Sequence, residues 1–126
     1  MSYTNAANLG VQHSEWLRTL DFYKEELAIL QKRLDEVASK NTAPDAMAKL
    51  EQFQNQFIVQ RNNIDEYKHS IHEHAHQVYE DLTRHAGKVE ETLIDDHKTL
   101  EASMTRLEQV INDMRKELNS FLSKWM

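Results

Sequence analysis

The chain of 126 residues has no cysteine, one proline and two glycines. A chain of this length with average composition would have roughly nine glycines and roughly six prolines. The absence of cysteine excludes disulfides, thiolate catalysis and cysteine-ligated zinc. The shortage of turn-forming residues argues against β-sandwiches, barrels and propellers. Two isolated glycines, Gly10 and Gly87, cannot form the motif of a dinucleotide-binding or phosphate-binding loop.

Long apolar runs and clusters of basic residues are also missing. The longest apolar stretches span three residues, as at 28–30 and 57–59, so no membrane-spanning segment is expected. Residues 1–12 have neither a basic start nor an apolar stretch, which predicts no signal peptide and a cytoplasmic protein. The net charge is −6 and the bases are scattered, so we do not expect the protein to bind nucleic acid.

Apolar residues recur at helical spacing throughout the chain and predict an all-α fold. Three segments each carry a heptad row, so we expect an elongated, antiparallel, up-down-up three-helix bundle with coiled-coil-like packing. The rows are Trp16, Leu20, Tyr23, Leu27, Leu30, Leu34 and Val37, then Leu50, Phe57, Ile64, Ile71 and Val78, and finally Leu93, Leu100, Leu107, Met114 and Phe121.

Two residues suggest where the helices begin and end. Pro44 suits the first turn of a second helix, and Gly87 suits the end of that helix. We therefore predict helices over about 13–40, 44–85 and 88–126, with residues 1–12 as an N-terminal extension and residues 1–126 as one domain. The heptad phase shifts near Gly87, which leaves open a single helix that continues through this point.

One stretch, residues 65–97, combines most of the histidines with all of the net charge. It holds six of the seven histidines, and its nine acidic and three basic residues give a charge of −6. His72 and His76 are one helical turn apart, a spacing at which two imidazoles can bind zinc, nickel or copper. The alternative is a solvated polar face. Since six histidines among these acids can take up protons between about pH 7 and 5.5, we also expect pH-dependent assembly.

The residues from His72 to His76 read H-E-x-x-H, which resembles the zinc-binding signature of the zincin metalloproteases. The resemblance implies that His72 and His76 hold zinc and that Glu73 activates a water molecule. Residues 91–95 resemble the E-x-x-x-D that supplies a third ligand in some of those families. The two elements cover ten residues, and no segment predicts the β-sheet that accompanies the zincin helix, so we do not expect a peptidase.

The register of the expected bundle brings histidines from three helices to one level. Turns near residues 42 and 87 place His13 level with about residue 72 and His97 level with about residue 77. His13, His74 and His97 would then share a layer, with His72 and His76 near its rim. One hypothesis is therefore a divalent transition metal, such as zinc, bound by His72, His76 and His97 together with His13 and His74. The other is that each histidine is a hydrogen-bonded core or boundary residue.

The uninterrupted heptad pattern favours a non-enzymatic bundle that acts through protein–protein contact, with self-association into a homo-oligomer as the expected form. Phe22, Ile29, Tyr79 and Trp125 could extend such a contact face, and the alternative is that they are scattered surface residues. A metal-binding bundle with its histidine and acid cluster at one end is the second interpretation. Neither interpretation involves nucleic acid or a membrane.

Overall fold

Three α-helices make up the protein, as a computed structural model shows for residues 6–41, 43–85 and 89–125. They are α1 (Ala6–Lys40), α2 (Pro44–Arg84) and α3 (Glu91–Trp125), and these ranges contain no strand. At about 1.5 Å per residue, each helix is roughly 50–60 Å long. The predicted all-α three-helix bundle is confirmed. No helix in the described ranges combines the length and apolarity that a bilayer crossing needs.

Side-chain contacts fix the direction of each helix. Residue numbers rise along α1 as they fall along the part of α2 that it contacts, so α1 and α2 are antiparallel. The same holds for α2 and α3, whereas α1 and α3 run parallel, as the up-down-up arrangement requires. The contacts are Asp21–Lys68 and Lys24–Asp65 between α1 and α2, Phe53–Phe121 and His74–Leu93 between α2 and α3, and Glu26–Arg115 and Asn41–Trp125 between α1 and α3.

The heptad rows form the core along the bundle axis. All five members of the predicted row on α2 are buried, and so are most members of the rows on α1 and α3. Trp16, Leu93 and Leu100 are the half-buried members of these rows. Burial of one apolar stripe on each helix is what makes these long helices stable in water.

The structure corrects the start of α1. This helix begins at Ala6 rather than near residue 13, so residues 6–12 belong to it and are not an extension. The reason is that Leu9, which is buried, continues the seam before His13 and Trp16 in steps of four and three. Residues 1–5 lie outside the described part of the chain.

The structure also shows that α2 and α3 are separate helices, because they run in opposite directions. The alternative of one helix that continues through Gly87 is therefore wrong. α2 ends at Arg84, and α3 begins at Glu91 rather than at 88. A carboxylate oxygen of Asp81 accepts a hydrogen bond from the backbone N–H of Glu90 at 2.8 Å, which ties the start of α3 to the end of α2. Gly87, the predicted breaker, lies outside the described residues, and Pro44 is the first residue of α2 as predicted.

Candidate metal centre

Three histidines, one from each helix, meet inside the bundle. His13 of α1, His74 of α2 and His97 of α3 are 5 %, 4 % and 5 % exposed. One ring nitrogen from each lies within 4.8 Å of the others, and the ring centroids are 5.0–5.3 Å apart. The layer of three histidines that the bundle register predicts is therefore present.

Helical periodicity explains why His13 and His97 point inward. His13 lies seven residues before Leu20 on the seam of α1, and His97 occupies a seam position of α3 seven residues before Met104. Residues seven apart share one face of a helix, so both imidazoles take core positions. Trp16 covers the cluster, with its ring 4.7 Å from that of His97 and 5.9 Å from that of His13.

The hydrogen bonds of His74 define where its proton lies. Its Nε2 is 2.7 Å from the backbone carbonyl oxygen of Leu93, and a carbonyl only accepts, so Nε2–H donates. Neutral His74 therefore has its lone pair on Nδ1. The Nε2 of His13 lies 2.8 Å from that Nδ1 and donates to it.

A second polar chain defines the proton of His97. Its Nε2 donates to the side-chain oxygen of Gln12 at 2.5 Å, while the amide nitrogen of Gln12 donates to a carboxylate oxygen of Glu101 at 3.4 Å. The lone pair of neutral His97 is therefore on Nδ1. This atom is buried and has no hydrogen-bond partner among the described residues. Buried polar atoms without a partner are rare and call for a ligand or another explanation.

Burial favours the neutral form of His13 and of His97. Burial, together with the neighbouring His74 and His97, lowers the pKa of His13 to about 4. Burial also lowers the pKa of His97; His74 adds to this effect and the carboxylate of Glu101 opposes it. At pH 7 His13 and His97 thus offer neutral imidazoles, which is the form that binds metal ions.

The donor set suits a borderline transition metal such as zinc, nickel or copper, which prefers imidazole nitrogen. In tetrahedral zinc sites the Zn–N distance of about 2.0–2.1 Å corresponds to ligand nitrogens roughly 3.3 Å apart. The His13–His74 pair, at 2.8 Å, needs to open by about half an ångström. Histidines that bind metal usually donate their other N–H to a carbonyl or carboxylate, as His74 does to Leu93 and His97 does to Gln12.

His72 and His76 lie outside this centre. Both are exposed, and the imidazole of His76 is 3.0 Å from the carboxylate of Glu80. They are two residues from His74, and two residues on a helix correspond to about 200°, so they face away from the cluster. The structure thus separates them from the three inward-facing histidines. The zincin-like element is accordingly a surface segment of α2, and no β-sheet lies beside it in the described ranges.

Sequence reasoning missed Gln12 because it assigned that residue to an extension. The buried Leu9 is the signal that could have placed Gln12 on α1. It also missed a cavity of about 240 Å³ between α2 and α3, lined by His74 together with Ser70, Glu73, Gln77, Asp96, Thr99 and Leu100, which brings solvent close to the cluster.

A second group, Asp81, His85 and Glu90, also brings possible ligand atoms within 4.8 Å of one another at the α2–α3 junction. His85 and Glu90 are exposed, and Asp81 is already engaged with the backbone N–H of Glu90.

Comparison of the chain with protein-family models, with curated proteins and with solved structures gave no match.

Proposed function

We propose that this protein is a metal-binding helical bundle that holds one divalent transition metal ion through His13, His74 and His97. The observation that carries the proposal is the buried Nδ1 of His97, a lone pair without a hydrogen-bond partner among the described residues, beside two further imidazoles. This geometry favours metal binding over protein–protein contact as the primary function. The proposed role is binding, not catalysis.

The hydrogen bonds support a specific set of ligand atoms. His74 and His97 present Nδ1, because their Nε2–H groups are engaged with Leu93 and Gln12. His13 presents Nε2, the atom nearest to His74, and its proton would sit on Nδ1 when the cation binds, so that the imidazole stays neutral. Three nitrogens leave one position of a tetrahedral ion for water. Because each ligand comes from a different helix, the ion cross-links all three.

The test is a titration of protein made without a polyhistidine tag. Zinc and nickel are titrated by calorimetry, and the fluorescence of Trp16 is followed during nickel addition in a Trp125→Phe background. We expect one ion per chain and quenching of Trp16, since its ring lies 4.7 Å from that of His97. His97→Ala should weaken binding by at least about 100-fold, the upper end of what loss of an outer-shell partner costs.

The matched control removes two histidines from the surface of the same bundle. His72→Ala combined with His76→Ala leaves the buried cluster intact and should bind the ion as the parent does. Loss of binding in this double variant, with His97→Ala unaffected, would move the site to the helix surface and overturn the proposal. Circular dichroism of each variant shows whether it folds. If His97→Ala does not fold, His97→Gln takes its place, because glutamine fills more of the space that the imidazole leaves.

As a second function we propose self-association through α1. Phe22 and Ile29 are 57 % and 55 % exposed and lie seven residues apart on one face of this helix. Cavities of about 310 and 520 Å³ flank them along the groove between α1 and α3. Projecting side chains and hollows on one face make a surface that can pair with a second copy of itself. Tyr79 is also exposed, whereas Trp125 packs against the core and is not part of this face.

A further inference from the structure

We infer that Gln12 is a positioning residue that holds His97 in the tautomer with its lone pair on the buried Nδ1; this inference rests on the proposed metal site. Gln12 is half-buried on the first turns of α1, next to His13. It would not touch the cation. Its effect would pass through the hydrogen bond between its side-chain oxygen and the Nε2–H of His97.

The contact with Glu101 sets the orientation of the Gln12 amide. The NH₂ group of Gln12 can only donate and a carboxylate can only accept, so the contact with Glu101 turns the NH₂ toward Glu101 and the oxygen toward His97. Glu101 is exposed, and a carboxylate oxygen of this residue is the acceptor in the contact with the amide. An oxygen that only accepts then requires a proton on Nε2 of His97.

The tautomer matters because the two nitrogens of His97 have different surroundings. Nε2 faces Gln12, whereas Nδ1 is buried without a partner among the described residues. If the acceptor is removed, the proton can occupy Nδ1 instead. A protonated Nδ1 has no lone pair for a cation, so the site would lose one of its three ligands in that fraction of molecules.

His74 has an equivalent arrangement that a side-chain substitution cannot remove. Its Nε2–H donates to the backbone carbonyl of Leu93, which every residue at that position supplies. Of the two outer contacts, the one through Gln12 is therefore the one that mutation can test. Replacement by glutamate keeps an oxygen at this place and makes it a stronger acceptor, as in the carboxylate–histidine–metal arrangement.

The experiment compares Gln12→Leu, Gln12→Glu and the parent, with Gln31→Leu as the matched control. Gln31 is another half-buried glutamine on α1 whose amide donates to a carboxylate, that of Asp35, far from the cluster. The first readout is the tautomer of His97 in metal-free protein at pH 7.5, from two-bond and three-bond ¹H–¹⁵N correlations of its ring. The second is the dissociation constant for zinc.

We expect Nε2–H in the parent, in Gln12→Glu and in the control, and a mixture that includes Nδ1–H in Gln12→Leu. Zinc binding should weaken by about 10- to 100-fold in Gln12→Leu and return to the parent value or tighter in Gln12→Glu. If Gln12→Leu does not fold, Gln12→Met, which keeps the length of the side chain, takes its place.

The two readouts separate this inference from the proposed function. An unchanged Nε2–H tautomer in Gln12→Leu, together with unchanged zinc affinity, would overturn the role of Gln12 while the metal site stands. Failure of the parent to bind any cation, with the tautomer shifting as expected, would overturn the metal site and leave the control of the His97 tautomer by Gln12 established.

Discussion

Each buried histidine carries a polar ring into a core that is otherwise apolar, and hydrogen bonds make this possible. An unpaired polar group in such surroundings costs roughly 1–3 kcal/mol. His74 avoids that cost through the carbonyl of Leu93 and through His13. His97 avoids it at Nε2 only, because its Nδ1 has no hydrogen-bond partner within the described ranges. Hydrogen bonds therefore engage both ring nitrogens of His74 and one of His97, and the Nδ1 of His97 is the atom that a bound cation would satisfy.

The lowered pKa of His13 predicts that the metal-free protein loses stability on mild acidification. The unfolded chain binds a proton at this residue near pH 6.5, whereas folded His13 does so only near pH 4. Since the unfolded state binds more protons between these values, the free energy of unfolding falls as the pH drops through 6.5 toward 4. For His13 alone the loss between pH 7 and pH 5 is about 2 kcal/mol.

Urea denaturation at pH 7 and pH 5 measures this loss. Neighbouring groups contribute to the pKa values on which this pH dependence rests. His74 and His97 lower the pKa of His13, whereas for His97 the pKa is lowered by His74 and raised by Glu101. His13→Asn should reduce the difference between the two pH values by about 2 kcal/mol. The exposed double variant His72→Ala with His76→Ala serves as control and should keep the full difference. Equal pH dependence of His13→Asn and the parent would contradict the prediction.

The sequence could predict which histidines meet but not how they bind one another. The heptad positions of His13 and His97 and the lengths of the helices were enough to place them level with His74. Hydrogen-bond partners depend on distances of a few tenths of an ångström and on side-chain orientation, which a helical pattern does not contain. The sequence also proposed His72 and His76 as ligands on their spacing, and spacing alone cannot tell an inward face from an outward one.

At the scale of the helices, apolar spacing determined most of what could be predicted. The strict seven-residue row on α2 is buried from Leu50 to Val78, as the pattern requires. The start of α1 was the weak point, because residues 6–12 carry a single large buried side chain, Leu9, among small, polar or exposed ones. The end of α2 and the start of α3 lie on either side of residues 86–88, where the lone glycine indicated a break without giving its length.

Two adjacent residues of α2 provide a direct test of which face of this helix is buried. Phe57 is 1 % exposed and belongs to the core, whereas Ile58, the next residue, is 49 % exposed. Phe57→Ala removes an aromatic ring from a packed site and should lower the free energy of unfolding by about 3–5 kcal/mol. Ile58→Ala should change it by less than roughly 1 kcal/mol, because most of the lost surface already contacts water.

Thermal and urea unfolding followed by circular dichroism measure both variants. If Ile58→Ala cost as much as Phe57→Ala, the rotation of α2 about its axis would differ from the one described. His74 would then no longer point inward, because it belongs to the same helix and its direction follows from the same rotation. The pair of variants thus tests the seam and the placement of the histidine cluster together.

At the scale of the whole molecule, the two proposed functions use different parts of the bundle. The histidine cluster lies toward one end, where His13 and His97 are near the starts of α1 and α3. The face formed by Phe22 and Ile29 begins farther along α1, beside the Glu26–Arg115 ion pair that joins α1 to α3. The two proposed functions can therefore be tested with separate mutations.

Self-association through α1 should respond to charges placed on this face. Phe22→Glu combined with Ile29→Glu replaces the two projecting apolar side chains, and in a two-fold arrangement each added carboxylate would lie close to the partner's apolar surface, which is costly. Sedimentation velocity at several protein concentrations should show a dimer for the parent and a monomer for this double variant. The matched control is Ile58→Glu with Val59→Glu, a pair of similar exposure on α2 (49 % and 53 %). This control should remain dimeric; a monomeric parent, or equal effects of both double variants, would contradict pairing through α1.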